Sequence, residues 1–252
     1  MKRTKLLAAN WKMNLGRQDV APYFAKFLDK YVDKPGTELL FAVPFLLLEK
    51  TYSSVTQHNF RIAAQNVHFE EHGAFTGEIS WTMLSEIGVN ESLIGHSERR
   101  QFFGETDDTI AKKIGKAKQL KKRSVLCVGE NLADRNAGLT FQVIIKQLQV
   151  NLSLIADLKD IVIAYEPVWA IGTGLSATAA QAQEVHAMIR RELSNKFGSD
   201  EAEKTPIVYG GSMNMKNTSE ICSQPDIDGG LVGGASLKPE EFSEMHRILS
   251  NI

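Results

Sequence analysis

An ammonium, an imidazole and a carboxylate each stand at or just past the end of a short apolar run. They are Lys12 in NWKMN (10–14), His96 in SLIGH (92–96) and Glu166 in DIVIAYE (160–166). A carboxylate that closes a buried strand is costly to desolvate unless it is paired or used. After Glu166 come Pro167, which fixes its own φ, and a run from Ala170 to Gly174 with two glycines. A stiff joint followed by a pliable run suits a lid that closes over the carboxylate, excludes water and strengthens local electrostatics. His96 precedes Ser97, a residue able to cap a helix that starts at once. A helix N-terminus beside the ring disfavours imidazolium and keeps the ring a neutral hydrogen-bond donor. Lys12, between Trp11 and Met13, offers a fixed positive charge, and Asn10 an amide donor. Proton abstraction beside a carbonyl needs such a set: a base, and donors aimed at the oxygen where charge develops.

The glycines suggest what else is bound. Gly210–Gly211–Ser212 and Gly233–Gly234–Ala235–Ser236 each follow an apolar run. Where such pairs open a helix, successive N–H groups form an anion nest. With Gly172 they make three loops able to donate N–H groups to one phosphate dianion. Two other patterns are weaker. Gly172, Gly174 and Ala177 spell the glycine fingerprint of a dinucleotide site, yet Glu166 to Ile171 separate the strand from the first glycine, where a tight turn is required. His68–Phe69–Glu70–Glu71–His72 matches a zinc-protease pattern that needs a helix, but it follows a strand and runs into Gly73–Gly77, which reads as loop. Neither zinc nor a dinucleotide is expected from these two patterns.

These groups need a frame. Short apolar runs recur at 6–10, 38–43, 61–65, 92–96, 124–129, 160–166, 206–210 and 229–234. Between several of them lie helical stripes: Phe24, Phe27, Leu28, Tyr31; Ile145, Leu148, Leu152, Ile155; Val185, Ile189, Leu193; and Phe242, Met245, His246, Leu249. Helices after the second and seventh runs are faint. Strands alternating with helices imply parallel βα units, as either an open doubly wound sheet or a closed (β/α)8 barrel. Eight repeats in 252 residues fit the barrel as one domain spanning 1–252. In both folds sites gather at the strands' C-terminal ends, where the polar residues of this chain stand.

Composition removes other classes. With 29 basic against 30 acidic residues no basic surface is implied, so neither nucleic acid nor an anionic membrane is expected as a partner. FAVPFLLL (41–48) is too short to span a bilayer, and Asn10 interrupts the apolar start before a signal peptide's core could form. Two cysteines, Cys127 and Cys222, offer no disulfide framework, so a reduced, cytoplasmic setting is expected.

NWKMN (10–14), IGHSERR (94–100), CVGE (127–130), AYEPVWAIGTG (164–174), YGGS (209–212) and LVGGASL (231–237) together resemble the triosephosphate isomerase family, in order and from end to end. The resemblance implies interconversion of dihydroxyacetone phosphate and glyceraldehyde 3-phosphate through an enediol(ate), a step of glycolysis and gluconeogenesis. By the same token Glu166 is the base and His96 the neutral electrophile. Lys12 with Asn10 stabilises developing charge, and Glu98 supports the site. Gly172, Ser212, Gly233 and Gly234 hold the phosphate. The resemblance further implies no metal or cofactor, and a homodimer in which the loop Gly73–Gly77 docks beside the partner's site. Leu175 stands where the family often carries lysine, which bears on lid motion rather than on the chemistry. Two rival readings remain at this level: a barrel aldolase whose Lys12 forms a Schiff base, and a phosphate-binding barrel without catalysis.

Overall fold

Side chains along a strand point alternately to its two faces, and in this chain both faces are apolar. Leu6 and Ala8 alternate with Leu7 and Ala9, Leu40 and Ala42 with Leu39 and Phe41, Val162 and Ala164 with Ile161 and Ile163, all buried. Strands of this kind need cover on both sides, which parallel strands with crossover helices supply. The computed structural model, which describes residues 3–170 and 177–252, shows this arrangement.

The strands are β1 (Lys5–Asn10), β2 (Thr37–Val43), β3 (Phe60–Ala64), β4 (Glu91–Ile94), β5 (Arg123–Val128), β6 (Ile161–Tyr165), β7 (Ile207–Tyr209) and β8 (Gly229–Val232). They form a closed barrel in sequence order, and β8 pairs in parallel with β1 through Leu6↔Gly229 to Ala9↔Val232. The fold is the (β/α)8 barrel, and the open sheet is excluded. The helices are α1 (Val20–Lys30), α2 (Leu48–Val55), α3 (Trp81–Glu86), α4 (Ser97–Phe102), α5 (Asp107–Gln119), α6 (Leu132–Asn136), α7 (Thr140–Asn151), α8 (Ala179–Phe197), α9 (Ser199–Lys204), α10 (Thr218–Cys222) and α11 (Pro239–Leu249). Among the described residues no helix is long and apolar enough to cross a membrane.

The core has two parts. Inside the barrel lie Leu6, Ala8, Leu40, Ala42, Ala63, Leu93, Val125, Cys127, Val162, Ala164, Val208 and Leu231. The larger part fills the space between strands and helices, with an aromatic group of Trp11, Tyr23, Phe24, Phe27 and Phe41 against α1. Three of the four predicted stripes face this layer as expected. The stripe Ile145, Leu148, Leu152, Ile155 does not run as one helix. α7 ends at Asn151, Ile144 rather than Ile145 is fully buried, and Leu152 and Ile155 are buried beyond the helix end. The chain closes there on a turn, with Leu152 N–H on the Leu148 carbonyl and Ser153 N–H on that of Val150. The faint helices after β2 and β7 are α2 and α10, the latter only five residues long. The thirteen-residue α5 has a stripe the sequence hides, because Ala111, Gly115 and the stem of Lys113 do much of its burial.

Behind β6 and β7, His186 of α8 lies fully buried against the rings of Tyr165 and Tyr209, with Nδ1 3.1 Å from the Asp226 carbonyl. Burial pushes its pKa down to about 4, so the folded protein keeps this ring neutral. Between pH 6.5 and 4 the unfolded chain binds a proton here that the folded chain refuses, so stability falls as pH falls through that window. The loss from this group is about 3 kcal/mol. Urea unfolding at pH steps from 7 to 4 should show it, with a shallower slope in His186→Gln. An equal slope in both proteins would mean that His186 does not resist protonation.

Candidate active site

All eight strands point the same way, so their C-terminal ends share one rim. Parity then decides which rim residues face the barrel axis. Asn10 continues the inward series Leu6, Ala8, and Glu166 continues Val162, Ala164. His96 breaks parity with Leu93, and the break is made at Gly95, whose φ of 76° lies in the left-handed region. A Cβ there would stand 2.9 Å from Ile110 Cδ1 and 3.3 Å from the Cys127 carbonyl, so a side chain at this position is both strained by φ and crowded. Arg100 fastens the turn by donating from Nε to the Gly95 carbonyl and from Nη2 to that of Cys127.

The sequence suggested Ser97 as the cap of the helix that follows. In the structure the cap is His96 itself: Nδ1 accepts the N–H of Glu98 at 3.2 Å, and Ser97 is the first residue of α4. Ser97 instead donates its N–H to Glu166 Oε2 at 2.8 Å, while Glu166 Oε1 lies 3.0 Å from His96 Nε2. Because Nδ1 accepts, the ring's proton sits on Nε2 and points at the carboxylate. Both groups are buried. Burial raises the Glu166 pKa, but the His96 ring and the Ser97 N–H outweigh it and hold the group below the usual carboxylate range, ionised. Burial likewise works against a charged His96 ring, and the Glu166 carboxylate overcomes it, leaving the ring's pKa above its ordinary value. That rise belongs to the contact: without the carboxylate on Nε2, burial and the helix N-terminus both favour the neutral ring.

Glu166 has room because Gly210 has no side chain. A Cβ at Gly210 would lie 2.8 Å from Glu166 Cγ and 3.1 Å from the Tyr165 carbonyl. Opposite, Lys12 takes φ of 50°, unusual for a residue with a side chain. The strained backbone is held by Asn10, whose Oδ1 accepts the Lys12 N–H at 3.0 Å, and by Gln65, whose amide donates to the Lys12 carbonyl at 3.0 Å and the Ala42 carbonyl at 3.1 Å. The Lys12 ammonium reaches Glu98 Oε1 at 2.6 Å, and Glu98 Oε2 stands 3.7 Å from His96 Nδ1. Lys12, Glu98, His96 and Glu166 therefore form one chain of contacts.

That chain lines a cleft of about 680 Å³. Asn10, Ser212, Gly233 and Gly234 line it too, so the structure brings together every site residue expected from the sequence except Gly172. Gly172, with the lid and Leu175, lies outside the described residues. Gly234 opens a 3-10 turn, Gly234–Leu237, and its missing side chain leaves open space, whereas a Cβ at Gly233 would stand 3.4 Å from Lys12 Cε. The Gly233 backbone and the Lys12 side chain are thus neighbours.

Two contributors had no assigned role in the sequence. Gln65, a polar residue just past β3, braces Lys12. Glu130, just past β5 and fully buried, accepts from the Tyr165 hydroxyl at 3.2 Å, Trp169 Nε1 at 2.9 Å and Arg135 at 3.3 Å, while the Arg135 guanidinium lies 4.4 Å over the Trp169 ring. Its signal was the same as that of Glu166, a carboxylate at the end of an apolar strand. The decoy motifs lack the geometry they need. His68 to His72 form no helix, and among the described residues no group of three or more His, Cys, Asp or Glu side chains could hold a metal ion. β6 does not turn directly into a glycine loop but passes through Pro167 and a 3-10 turn, Val168–Ala170.

Comparison with known proteins agrees with this geometry. A family profile described as triosephosphate isomerase matches residues 5–249. The triosephosphate isomerase of Acetivibrio thermocellus is 46% identical over 247 residues, 97% of this chain and 98% of its own. That of Alkaliphilus metalliredigens is 45% identical over 242 residues, covering 95% and 97%. That of Chloroherpeton thalassium is 44% identical over 248 residues, covering 96% and 98%.

The Gly95 turn can be tested directly. Gly95→Ala should destabilise the protein by about 1–3 kcal/mol through backbone strain and steric conflict. It should also lower the His96 pKa, because the ring loses the carboxylate contact that raises it. Imidazole titration by NMR reads this, and an unchanged titration would mean that the turn accepts a methyl group.

Proposed function

The chain belongs to the triosephosphate isomerase family, and we propose that Glu166, His96, Lys12 and Asn10 carry its reaction at the rim of the barrel. The protein is an isomerase enzyme that interconverts dihydroxyacetone phosphate and D-glyceraldehyde 3-phosphate. The observation that carries the mechanistic reading is the 3.0 Å contact of Glu166 with His96 inside a cleft that Lys12 also lines.

In this arrangement the base and the neutral donor occupy each other. Substrate entering the cleft takes the Nε2–H of His96 for its own oxygens and draws the Glu166 carboxylate off the Ser97 N–H. Both contacts that hold the Glu166 pKa down are then gone while burial remains, so its basicity rises as the reacting C–H comes within reach. Glu166 removes the proton from C1 of the ketone. The electrons pass to the carbonyl as an enediol(ate), the proton of the O1 hydroxyl is exchanged to O2 through His96 Nε2, and the conjugate acid of Glu166 returns its proton to C2. His96 Nε2–H, the Lys12 ammonium and the Asn10 amide face the two oxygens where charge develops, each such donor being worth about 2.7–4 kcal/mol in a comparable setting. Glu98 holds Lys12 beside the site between turnovers. Ser212, Gly233, Gly234 and Gly172 hold the phosphate by main-chain N–H groups. A Schiff-base role for Lys12 would need an uncharged amine, and its ion pair with Glu98 at 2.6 Å works against that. Both cysteines are free and buried, which suits the reducing cytoplasm as the place of action.

The working form is a homodimer. Exposed apolar side chains stand in the segments that follow four adjacent strands: Met13 after β1, Leu46 in a 3-10 turn after β2, Phe75 after β3 and Phe102 at the end of α4 after β4. An apolar arc beside a site that needs rigid backbone is best covered by a second copy, with Gly73–Gly77 as the docking loop.

A coupled assay of triose phosphate turnover tests the mechanism. Glu166→Asp, which withdraws the carboxylate by about one ångström, should lower kcat on the order of 10²-fold. Near-normal turnover in that variant would remove Glu166 from its role. For assembly, sedimentation velocity at micromolar concentration should give twice the 28.0 kDa of one chain. Phe75→Asp should shift the protein to monomer with loss of turnover, whereas a wild-type protein that sediments as a single chain would end the dimer proposal.

A further inference from the structure

The charge of the cleft does not suit the ligand it is built for. Among the described residues that line it are two ammonium groups, Lys12 and Lys238, and three carboxylates, Glu98, Glu166 and Glu241. With His96 neutral, that sum repels a phosphate ester dianion unless the cations are turned toward it. Each ammonium is instead held by a carboxylate: Lys12 Nζ by Glu98 at 2.6 Å, and Lys238 Nζ by Glu241 Oε2 at 3.2 Å.

The two pairs sit at different ends. Lys12–Glu98 adjoins the Glu166–His96 contact. Lys238 caps α11 directly after the Gly234–Leu237 turn, four residues past Gly234, and Glu241 lies in the first turn of the same helix. The second pair therefore stands on the phosphate side. Its geometry is that of a replaceable contact: an i,i+3 pair with the lysine side chain 72% exposed and the glutamate 23% exposed. Such pairs are weak in water and exchange readily, and a dianion offers an ammonium more charge than one carboxylate does.

We propose that Lys238 is a substrate-binding cation for the phosphate dianion, held in reserve by Glu241, so that the exchange of partners sets affinity at the phosphate end of the cleft. The inference rests on the triose phosphate reading of the site. On binding, the ammonium leaves Glu241 and swings on its exposed stem toward the Gly233–Gly234 nest. No bond is made or broken, and the effect falls on binding rather than on the chemical step. The carboxylate left behind at Glu241 is partly exposed, and water can take the place of the ammonium.

A double-mutant cycle on the full-length protein tests the pair, using Lys238→Gln, Glu241→Gln and the double variant. The readouts are KM and kcat for triose phosphate, and calorimetric binding of inorganic phosphate, each at low and high salt. Lys238→Gln should weaken phosphate binding and raise KM by about three- to tenfold at low salt, less at high salt, with kcat nearly unchanged. Glu241→Gln should tighten phosphate binding by about two- to threefold, because Lys238 is released. In the double variant that gain should vanish, and Lys238→Arg should retain most of the wild-type affinity. Unchanged phosphate binding in Lys238→Gln would overturn the proposal. So would a gain from Glu241→Gln that persists without Lys238, since Glu241 would then act by repelling the ligand itself. A wild-type protein without triose phosphate turnover would count against the isomerase mechanism alone, because phosphate calorimetry reads the Lys238–Glu241 exchange independently of turnover.

Discussion

A buried carboxylate must be paid for somewhere, and in this protein the contact between Glu166 and its two donors is where the structure does so. Glu166 lies at the end of β6 with its side chain almost wholly out of water. His96 Nε2 and the Ser97 N–H meet its two oxygens at 3.0 and 2.8 Å. Remove either and a desolvated charge is left under-satisfied, which costs several kcal/mol. The same contacts lower the basicity of Glu166, the group proposed as the base. On the proposed mechanism the empty site stores its base in an occupied form, and a ligand that competes for His96 would release both groups together. Stability of the empty cleft and readiness for proton transfer arise from one interaction.

That interaction depends on backbone positions far stiffer than the side chains they present. The left-handed turn at Gly95 carries His96 across the strand's alternation, and Arg100 ties it to β5. The absence of a Cβ at Gly210 lets the Glu166 stem lie against the end of β7. Lys12 holds an unfavourable φ because Asn10 and Gln65 satisfy its N–H and carbonyl. Strain of this kind is retained when the surroundings over-determine it. The barrel does so by fixing the ends of eight strands through one closed ladder, so that residues distant in sequence inherit common coordinates.

Charge in the cleft is managed by pairing rather than by excess. Lys12 and Lys238 each carry a carboxylate partner close enough to shield them. A highly positive cleft would attract anions of every kind, and a neutralised one selects for ligands that can displace the partners. Main-chain donors in the glycine loops, as proposed for the phosphate, would add affinity without adding net charge. Glu130 uses the same logic behind the site, where Tyr165, Trp169 and Arg135 converge on one buried carboxylate.

The amino-acid sequence determined the frame by itself. Apolar runs repeated eight times with helical stripes between several of them imply a parallel sheet and favour a barrel over an open sheet, a choice that the β8–β1 pairing settles, and polar residues at the ends of those runs mark the rim. Glu166, His96, Lys12, Asn10 and the glycine pairs were legible because their residue types are out of place in apolar surroundings. What the tertiary structure decided is which atoms meet. Local spacing suggested Ser97 as a cap, yet the cap is the His96 ring, and the Ser97 N–H serves a carboxylate 69 residues away. The end of α7, the bracing of Lys12 by Gln65 and the convergence on Glu130 were equally invisible. Periodicity reports the face on which a side chain lies, because that follows from the backbone repeat of its own segment. Hydrogen-bond partners depend on where other segments end, and only the closed barrel sets those positions.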